Sequence, residues 1–255
     1  MKYMGSKARI AKEILPIILK DRKPEQWYVE PFCGGCNTLD KVTGARLAND
    51  KNIHLIAMMR GLVDGRTGPH EIPKNIYDLA RNEYNCGTHI EFDDFLMGWV
   101  GWMGSANGRF FDGGYSGKSN TKIGTVRDYI KEAIGNIKKQ LPSLVGVEFC
   151  NTDYRDLIIP DRSIIYCDPP YQGTKQYSSS KDFSHELFWD WVRKMSAIGH
   201  SVFVSEYSAP DDFECVWEKK VKSSLSANGV CGGNKGSVER LFKPRPSKGE
   251  DRGEK

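Results

Sequence analysis

The sequence predicts an open, mostly parallel α/β sheet interrupted by an inserted, largely helical subdomain. Short apolar runs alternate with stretches of helical period, the pattern of strands joined by crossover helices. Two of those runs stop directly at turns rich in acidic, Gly or Pro residues, Glu30–Gly35 and Asp168–Tyr171. The 255 residues suffice for one core domain carrying a sizeable insertion.

The elements follow in order. Ala8–Leu19 places apolar residues at helical spacing around Pro16. Trp27–Glu30 is strand-like and runs into a glycine turn. Ala45–Ala48 is a second strand, followed by a helix over Asn52–Val63. Val147–Cys150 and Ser163–Cys167 are later strands, the second bounded by Pro160-Asp161 and by Asp168-Pro169-Pro170. Ser184–Ile198 reads as a helix with Ser184 at its N-cap, and Ser201–Ser205 as a strand. The alternation breaks from Gly98 to Gly117, where glycines are interleaved with Trp99, Trp102, Phe110, Phe111 and Tyr115. A basic stretch expected to be helical follows, with Lys118, Lys122, Arg127, Lys131, Lys138 and Lys139. A crossover needs only a short loop, so residues 68–142 are expected to be an insertion between core segments 1–67 and 143–243. A helical lid over the sheet edge is the alternative. Residues 244–255, rich in Lys, Glu, Gly and Pro, are expected to be a flexible tail.

Composition narrows the function class. At 39% apolar and 27% charged, the chain is neither disordered nor collagenous. No apolar run approaches the roughly 20 residues that span a bilayer, and the start Met-Lys-Tyr-Met-Gly-Ser-Lys carries no apolar signal segment. An odd count of 7 cysteines in a chain this large reads as reduced thiols, so a cytoplasmic location with no membrane partner is expected. The net charge of +4 permits a polyanionic partner.

Asp168-Pro169-Pro170-Tyr171 carries the most chemistry. Ligands of open α/β sheets bind beyond the carboxyl ends of strands, which is where this tetrapeptide stands. Two prolines hold the chain extended and donate no hydrogen bonds, leaving their carbonyls as fixed acceptors. An acid, rigid carbonyls and an aromatic face suit a planar ligand bearing an NH2 group: the acid and a carbonyl accept its two N–H bonds, and Tyr171 stacks on the ring. A capped Pro-rich turn is the bland alternative. In Glu30-Pro31-Phe32-Cys33-Gly34-Gly35-Cys36, glycine lets backbone approach a ligand, and Asp50 ends the next strand, where a carboxylate can bind a ribose hydroxyl pair. With no G-x-G-x-x-G and a short spacing to Asp50, a nucleoside cofactor fits better than a dinucleotide.

With these residues the chain resembles the Dam-like, D12-type (class alpha) DNA adenine-N6 methyltransferases, particularly the compact phage-type members. Tyr3-Met-Gly-Ser-Lys7 is similar to their N-terminal cofactor motif. Glu30–Gly35, with Pro31, Phe32 and Cys33, is similar to their S-adenosylmethionine loop. Asp50 falls at their ribose acid, Asn151-Thr-Asp153-Tyr154 at the segment that meets the cofactor's adenine, and Asp168–Tyr171 at the catalytic motif. The resemblance implies a Rossmann-like S-adenosylmethionine-dependent fold with cofactor-binding Tyr3, Lys7, Glu30, Pro31, Phe32, Cys33, Gly34, Gly35, Asp50, Asp153, Tyr154 and Asp168. It implies catalytic Asp168, Pro169, Pro170 and Tyr171, a target-recognition insertion, and methylation of a flipped adenine in double-stranded DNA. Cys36 departs from the family's small residue; if φ is positive there, its side chain is strained.

Arg109, Phe110 and Tyr115 are candidates to read bases, and Lys118, Lys122 and Arg127 to meet phosphates. Their alternatives are a small aromatic core and a solvated face. The polar segment 175–182 either orders over DNA or is a plain surface loop. Cys33-Gly-Gly-Cys36 is also the layout of a redox turn, but that reading leaves Asp168–Tyr171 unexplained. The five histidines show no zinc-ligand spacing, so no metal is expected. Methylation at cytosine C5 needs a Pro-Cys nucleophile that the chain lacks. Other functions compatible with the motif are methylation of cytosine N4 or of RNA, and DNA binding by an inactive relative.

Overall fold

The structure, a computed structural model, describes residues 1–120, 124–172, 183–222 and 236–246, with the side chains of 222, 236 and 237 left out. Lys122, the segment 175–182 and the tail from 247 onward lie outside the described residues.

Strands β1 (Tyr28–Glu30), β2 (Arg46–Asn49), β5 (Val147–Cys150), β6 (Ile164–Cys167), β7 (Ser201–Glu206), β8 (Phe213–Lys222) and β9 (Gly236–Pro244) form a 7-stranded sheet in the order β5-β2-β1-β6-β7-β9-β8. The pairs β2/β5, β1/β6 and β6/β7 are parallel, and β9 runs antiparallel to both β7 and β8. All residues of β1, β2 and β6 are buried. This matches the rule that parallel strands are covered on both faces; β6 is apolar throughout, whereas β1 and β2 carry the buried polar residues Glu30, Arg46 and Asn49. The expected mostly parallel α/β sheet is therefore present. Strands β3 (Lys118–Asn120) and β4 (Val126–Asp128) make a separate antiparallel hairpin.

The helices are α1 (Ala11–Ile18), α2 (Ile53–Val63), α3 (Lys74–Cys86), α4 (Asp94–Gly104), α5 (Tyr129–Gln140) and α6 (His185–Ala197). Side-chain oxygens of Asn52, Asp93, Asp128 and Ser184 accept the backbone N–H of Leu55, Leu96, Lys131 and Leu187, fixing where α2, α4, α5 and α6 begin. Helix α3 ends at Gly87 in the left-handed region, φ 66°. One expectation needs correction. Residues 118–120 and 126–128 are paired strands rather than the start of a helix; Gly117 (φ 44°) and Gly124 (φ 78°) lie outside the right-handed region, and Asp128 caps α5 only from Tyr129.

By contacts the chain divides into two compact units, Met1–Lys12 with Pro31–Leu157, and Glu13–Glu30 with Ile158–Lys255. The boundaries expected at 67/68 and 142/143 fall inside the first. In the first unit α4 packs against α2 so closely that a Cβ on Gly98 would sit 2.2 Å from the His54 carbonyl oxygen. Arg46 at the start of β2 donates to the carbonyls of Ser143 and Val145, tying the turn between α5 and β5 to the sheet. In the second unit β6 and β7 start together: Ser201 N–H donates to Ser163 O at 3.0 Å, and Ser163 N–H donates to Nδ1 of buried His200 at 3.0 Å.

Candidate active site

In the first unit, the segment after β1 is fastened to the end of β2. Cys33 N–H donates to Asn49 O at 2.8 Å. The Asn49 amide donates to Pro31 O (3.0 Å) and Thr152 O (3.1 Å) and accepts from Thr152 N–H (3.0 Å). One buried asparagine thus joins three chain segments named in the sequence reading. Gly34 has φ 46°, and a Cβ there would lie 2.7 Å from the Tyr3 ring, so only glycine allows Tyr3 to lie against the turn. Tyr3 also stacks near Trp102, 6.3 Å between centroids at 16°. Cys36 lies at φ 54°, the strained region anticipated for it. Gln140 at the end of α5 donates to the carbonyls of Gly35 (3.0 Å) and Cys36 (3.2 Å).

Asp50 is held by two backbone donors, Gly34 N–H at 3.1 Å on one oxygen and Asn52 N–H at 2.9 Å on the other. Burial pushes its pKa above the ordinary value, and these two hydrogen bonds oppose the shift. Each oxygen keeps a lone pair, the arrangement a vicinal diol requires. Phe32 and Tyr154 rings pair at 5.2 Å, tilted 41°. Asp153 accepts from both the Nε (2.8 Å) and Nη2 (3.1 Å) of Arg155, which holds its carboxyl below the usual range. Its acceptor capacity is thus partly taken by its own neighbour. The Lys7 ammonium donates to Gly5 O at 3.1 Å in the short turn that Ser6 caps. A shallow cleft of about 270 Å³ lined by Asp40, Lys41, Thr43, Arg46 and Ser143 shares none of these side chains.

In the second unit, Glu30 ends β1 and Asp168 follows β6, its parallel neighbour. Glu30 is 2% exposed and accepts from the Tyr28 hydroxyl at 2.9 Å. Asp168 is half-buried, Pro169 and Tyr171 are buried, and Pro170 is partly exposed. The Tyr171 hydroxyl donates to Glu239 at 2.8 Å, and its ring meets Tyr207 edge-on at 4.7 Å. Glu206, 2% exposed, accepts from Gln172 N–H (3.2 Å) and Tyr207 N–H (2.8 Å), so the strand end of β7 anchors the exit of the Asp-Pro-Pro-Tyr turn. Burial first, then Asp168, raises the pKa of Tyr166, Cys167 and Tyr171 well above their ordinary values; Glu30 adds to the shift at Tyr166 and Cys167, and Glu239 at Tyr166 and Tyr171. The end of β6 is accordingly a region of negative potential, suited to a cationic group.

Sequence reasoning missed Glu206, Tyr207, Glu239, Asn49 and Gln140. Two left a signal. Glu206 is an acid at the end of β7, with Ser205 between it and the apolar run Val202–Val204, and Gln140 is a polar residue on the helical stripe of Ile130, Ala133, Ile134 and Ile137.

The candidate DNA-reading residues are scattered in role. Phe110 is half-buried in an aromatic cluster with Trp102 (4.2 Å), Phe111 (4.6 Å) and Tyr84 (4.9 Å). The Tyr115 hydroxyl donates to Ile72 O at 2.7 Å. Both placements fit the small aromatic core. Arg109 Nε lies 3.0 Å from Met4 Sδ. Lys118 is exposed and 3.9 Å from Asp128, and Arg127 forms a two-point pair with Glu132 over the Tyr129 ring. No helix among the described residues is long and apolar enough to cross a membrane.

The donor set of the first unit fits a nucleoside cofactor. It offers a diol-ready carboxylate at Asp50, an aromatic pair, and glycines where side chains would fill the turn. Beside that turn the buried Asn37 Nδ2 has no hydrogen-bond partner. Among solved structures, SMU.472, a candidate methyltransferase complexed with SAH, aligns with a TM-score of 0.37 and 13% identity over 95% of this chain. The chain spans 53% of the length of that structure's chain, and a likeness this distant carries no weight for substrate or mechanism. No curated protein matches the sequence. A profile of the D12 class N6 adenine-specific DNA methyltransferases matches residues 3–134 and 113–197, which include both the glycine turn and the Asp-Pro-Pro-Tyr turn. With well over half of its residues inside those matches, the chain belongs to the D12 class N6 adenine-specific DNA methyltransferase family.

Proposed function

We propose that this chain transfers a methyl group from S-adenosylmethionine to the exocyclic N6 of adenine at a specific sequence in double-stranded DNA, acting in the cytoplasm on a base rotated out of the helix. The observation that carries the reading is Asp168-Pro169-Pro170-Tyr171 at the carboxyl end of β6 in a chain of this family.

S-adenosylmethionine, when bound, supplies an electrophilic methyl on a sulfonium. Asp50 receives the ribose hydroxyls, Phe32 and Tyr154 flank the adenine, and Lys7 meets the cofactor's carboxylate. Asp153 shares its acceptor oxygens between Arg155 and the cofactor's adenine. The negative potential around Asp168 favours a sulfonium over a neutral thioether. The target nitrogen is a poor nucleophile because its lone pair is delocalised into the purine ring. Asp168 and the Pro169 carbonyl each accept one of its N–H bonds, which favours a pyramidal nitrogen and frees the lone pair. Asp168 is also the acceptor for the proton the amine loses. Rotating the base out costs a few kcal/mol, and stacking on Tyr171 returns about 1–3 kcal/mol. Since that ring is 8% exposed, capture of the base requires that it first be uncovered. Lys118 and Arg127 on the exposed hairpin are the phosphate contacts in this reading.

The test is Asp168→Ala. Methyl transfer is expected to fall by about 10²–10³-fold or more, while equilibrium binding of labelled cofactor weakens but stays measurable, which separates loss of chemistry from loss of binding. Retained turnover would remove the role assigned to Asp168.

A further inference from the structure

We infer that His54, His89 and Asp94 form a site for one divalent ion of the zinc type, clasping the first turn of α2 to the first turn of α4. His54 is the second residue of α2, Asp94 the first residue of α4, and His89 lies on the segment between α3 and α4. One ligand atom from each lies within 4.8 Å of the other two. His54 Nδ1 is 3.0 Å, and His89 Nδ1 3.8 Å, from the same Asp94 oxygen. Tetrahedral zinc with bonds near 2.0–2.1 Å sets its ligand atoms roughly 3.3 Å apart. Two edges of the triangle therefore bracket the required length, and the third closes by rotation of the exposed His89.

A second observation points to a ligand. His54 is 8% exposed, and its buried Nδ1 makes no hydrogen bond of regular geometry; the polar atom it faces is the Asp94 oxygen 3.0 Å away. A buried imidazole nitrogen without a regular hydrogen bond is costly, and an ion accepting its lone pair removes that cost. The surroundings are dry on one side: Tyr84 meets the His54 ring edge-on at 5.6 Å and Phe110 lies along it at 5.8 Å. On the other side His89 is exposed, which leaves an entry path and room for water as fourth ligand. Two imidazoles and one carboxylate suit zinc, cobalt or nickel and not magnesium or calcium, which demand oxygen sets. The inference does not depend on the methyl-transfer reading.

The test uses the full chain, kept reduced and stripped with a chelator. It is titrated with zinc chloride against a chromophoric competitor, and separately with cobalt chloride while visible absorption is followed. One zinc equivalent is expected, with an affinity that falls at least about tenfold in His89→Ala and in Asp94→Asn. Zinc should raise the thermal midpoint of the parent chain and leave both variants unmoved. Because His89 is exposed, its variant tests the site without threatening the fold. No bound equivalent, or undiminished affinity in both variants, would overturn the site and leave a simple imidazolium–carboxylate pair. A cobalt band of thiolate character would do the same by assigning the ion to Cys33 and Cys36.

Discussion

Cys36 holds φ 54° with its side chain fully buried, so two opposing effects meet in one residue. A left-handed conformation costs an L-residue about 1–2 kcal/mol, while the buried thiol contributes packing. Comparing two truncations isolates the backbone effect. At an ordinary position Ala stabilises relative to Gly by restricting the unfolded chain. Here Cys36→Gly should instead be more stable than Cys36→Ala by about 1 kcal/mol in urea unfolding; the reverse order would contradict the strain. At this scale the sequence singled out Asp168, Tyr171, Gly34 and Asp50 as candidates, because each sits in a short local pattern with its own chemistry. It did not disclose Glu206 or Glu239. They reach Gln172 and Tyr171 from 34 and 68 residues along the chain, and only folding creates those pairs.

Helix α4 is an element whose glycines do not weaken it in the usual way. An exposed helical Gly→Ala stabilises by about 1 kcal/mol, yet the Cβ of Gly98→Ala would stand 2.2 Å from the backbone oxygen of His54, which cannot swing aside. Gly98→Ala is therefore expected to destabilise by about 1–3 kcal/mol, and a higher midpoint in thermal unfolding would contradict the close packing of α2 and α4. The start of β6 and β7 gives a pH prediction. His200 Nδ1 accepts the Ser163 N–H, which requires an unprotonated nitrogen, and burial lowers its pKa from 6.5. The unfolded chain therefore takes up the proton first, so stability is lost as pH falls below 6.5 towards the folded value. His200→Phe should flatten that part of the stability–pH curve while costing about 1–3 kcal/mol for the orphaned Ser163 N–H; an unchanged slope would contradict it. The sequence showed α2, α6, β5 and β6 within a residue or so, since each has caps or turn residues at its ends. It did not show β8 and β9. The register shifts between Cys215 and Trp217, and that bulge breaks the two-residue alternation by which an edge strand is recognised.

Across the whole molecule, alternation of strands and helices was enough to predict a mostly parallel sheet. The strand order and the antiparallel β9 were not readable, since they depend on pairings among distant segments. Residues 68–142 stood out as a stretch too long for a crossover, but the pairing of β3 with β4 within it did not, because a basic stretch has the same composition in either conformation. The proposed chemistry acts at one nitrogen, and one measurement addresses it. Purified protein is incubated with methyl-labelled S-adenosylmethionine and mixed-sequence duplex DNA, and the DNA is digested to nucleosides and separated. Label is predicted in N6-methyladenine, and absent when Asp168→Ala replaces the parent chain. Label in N4-methylcytosine, or none in DNA from protein that binds the cofactor, would contradict the account.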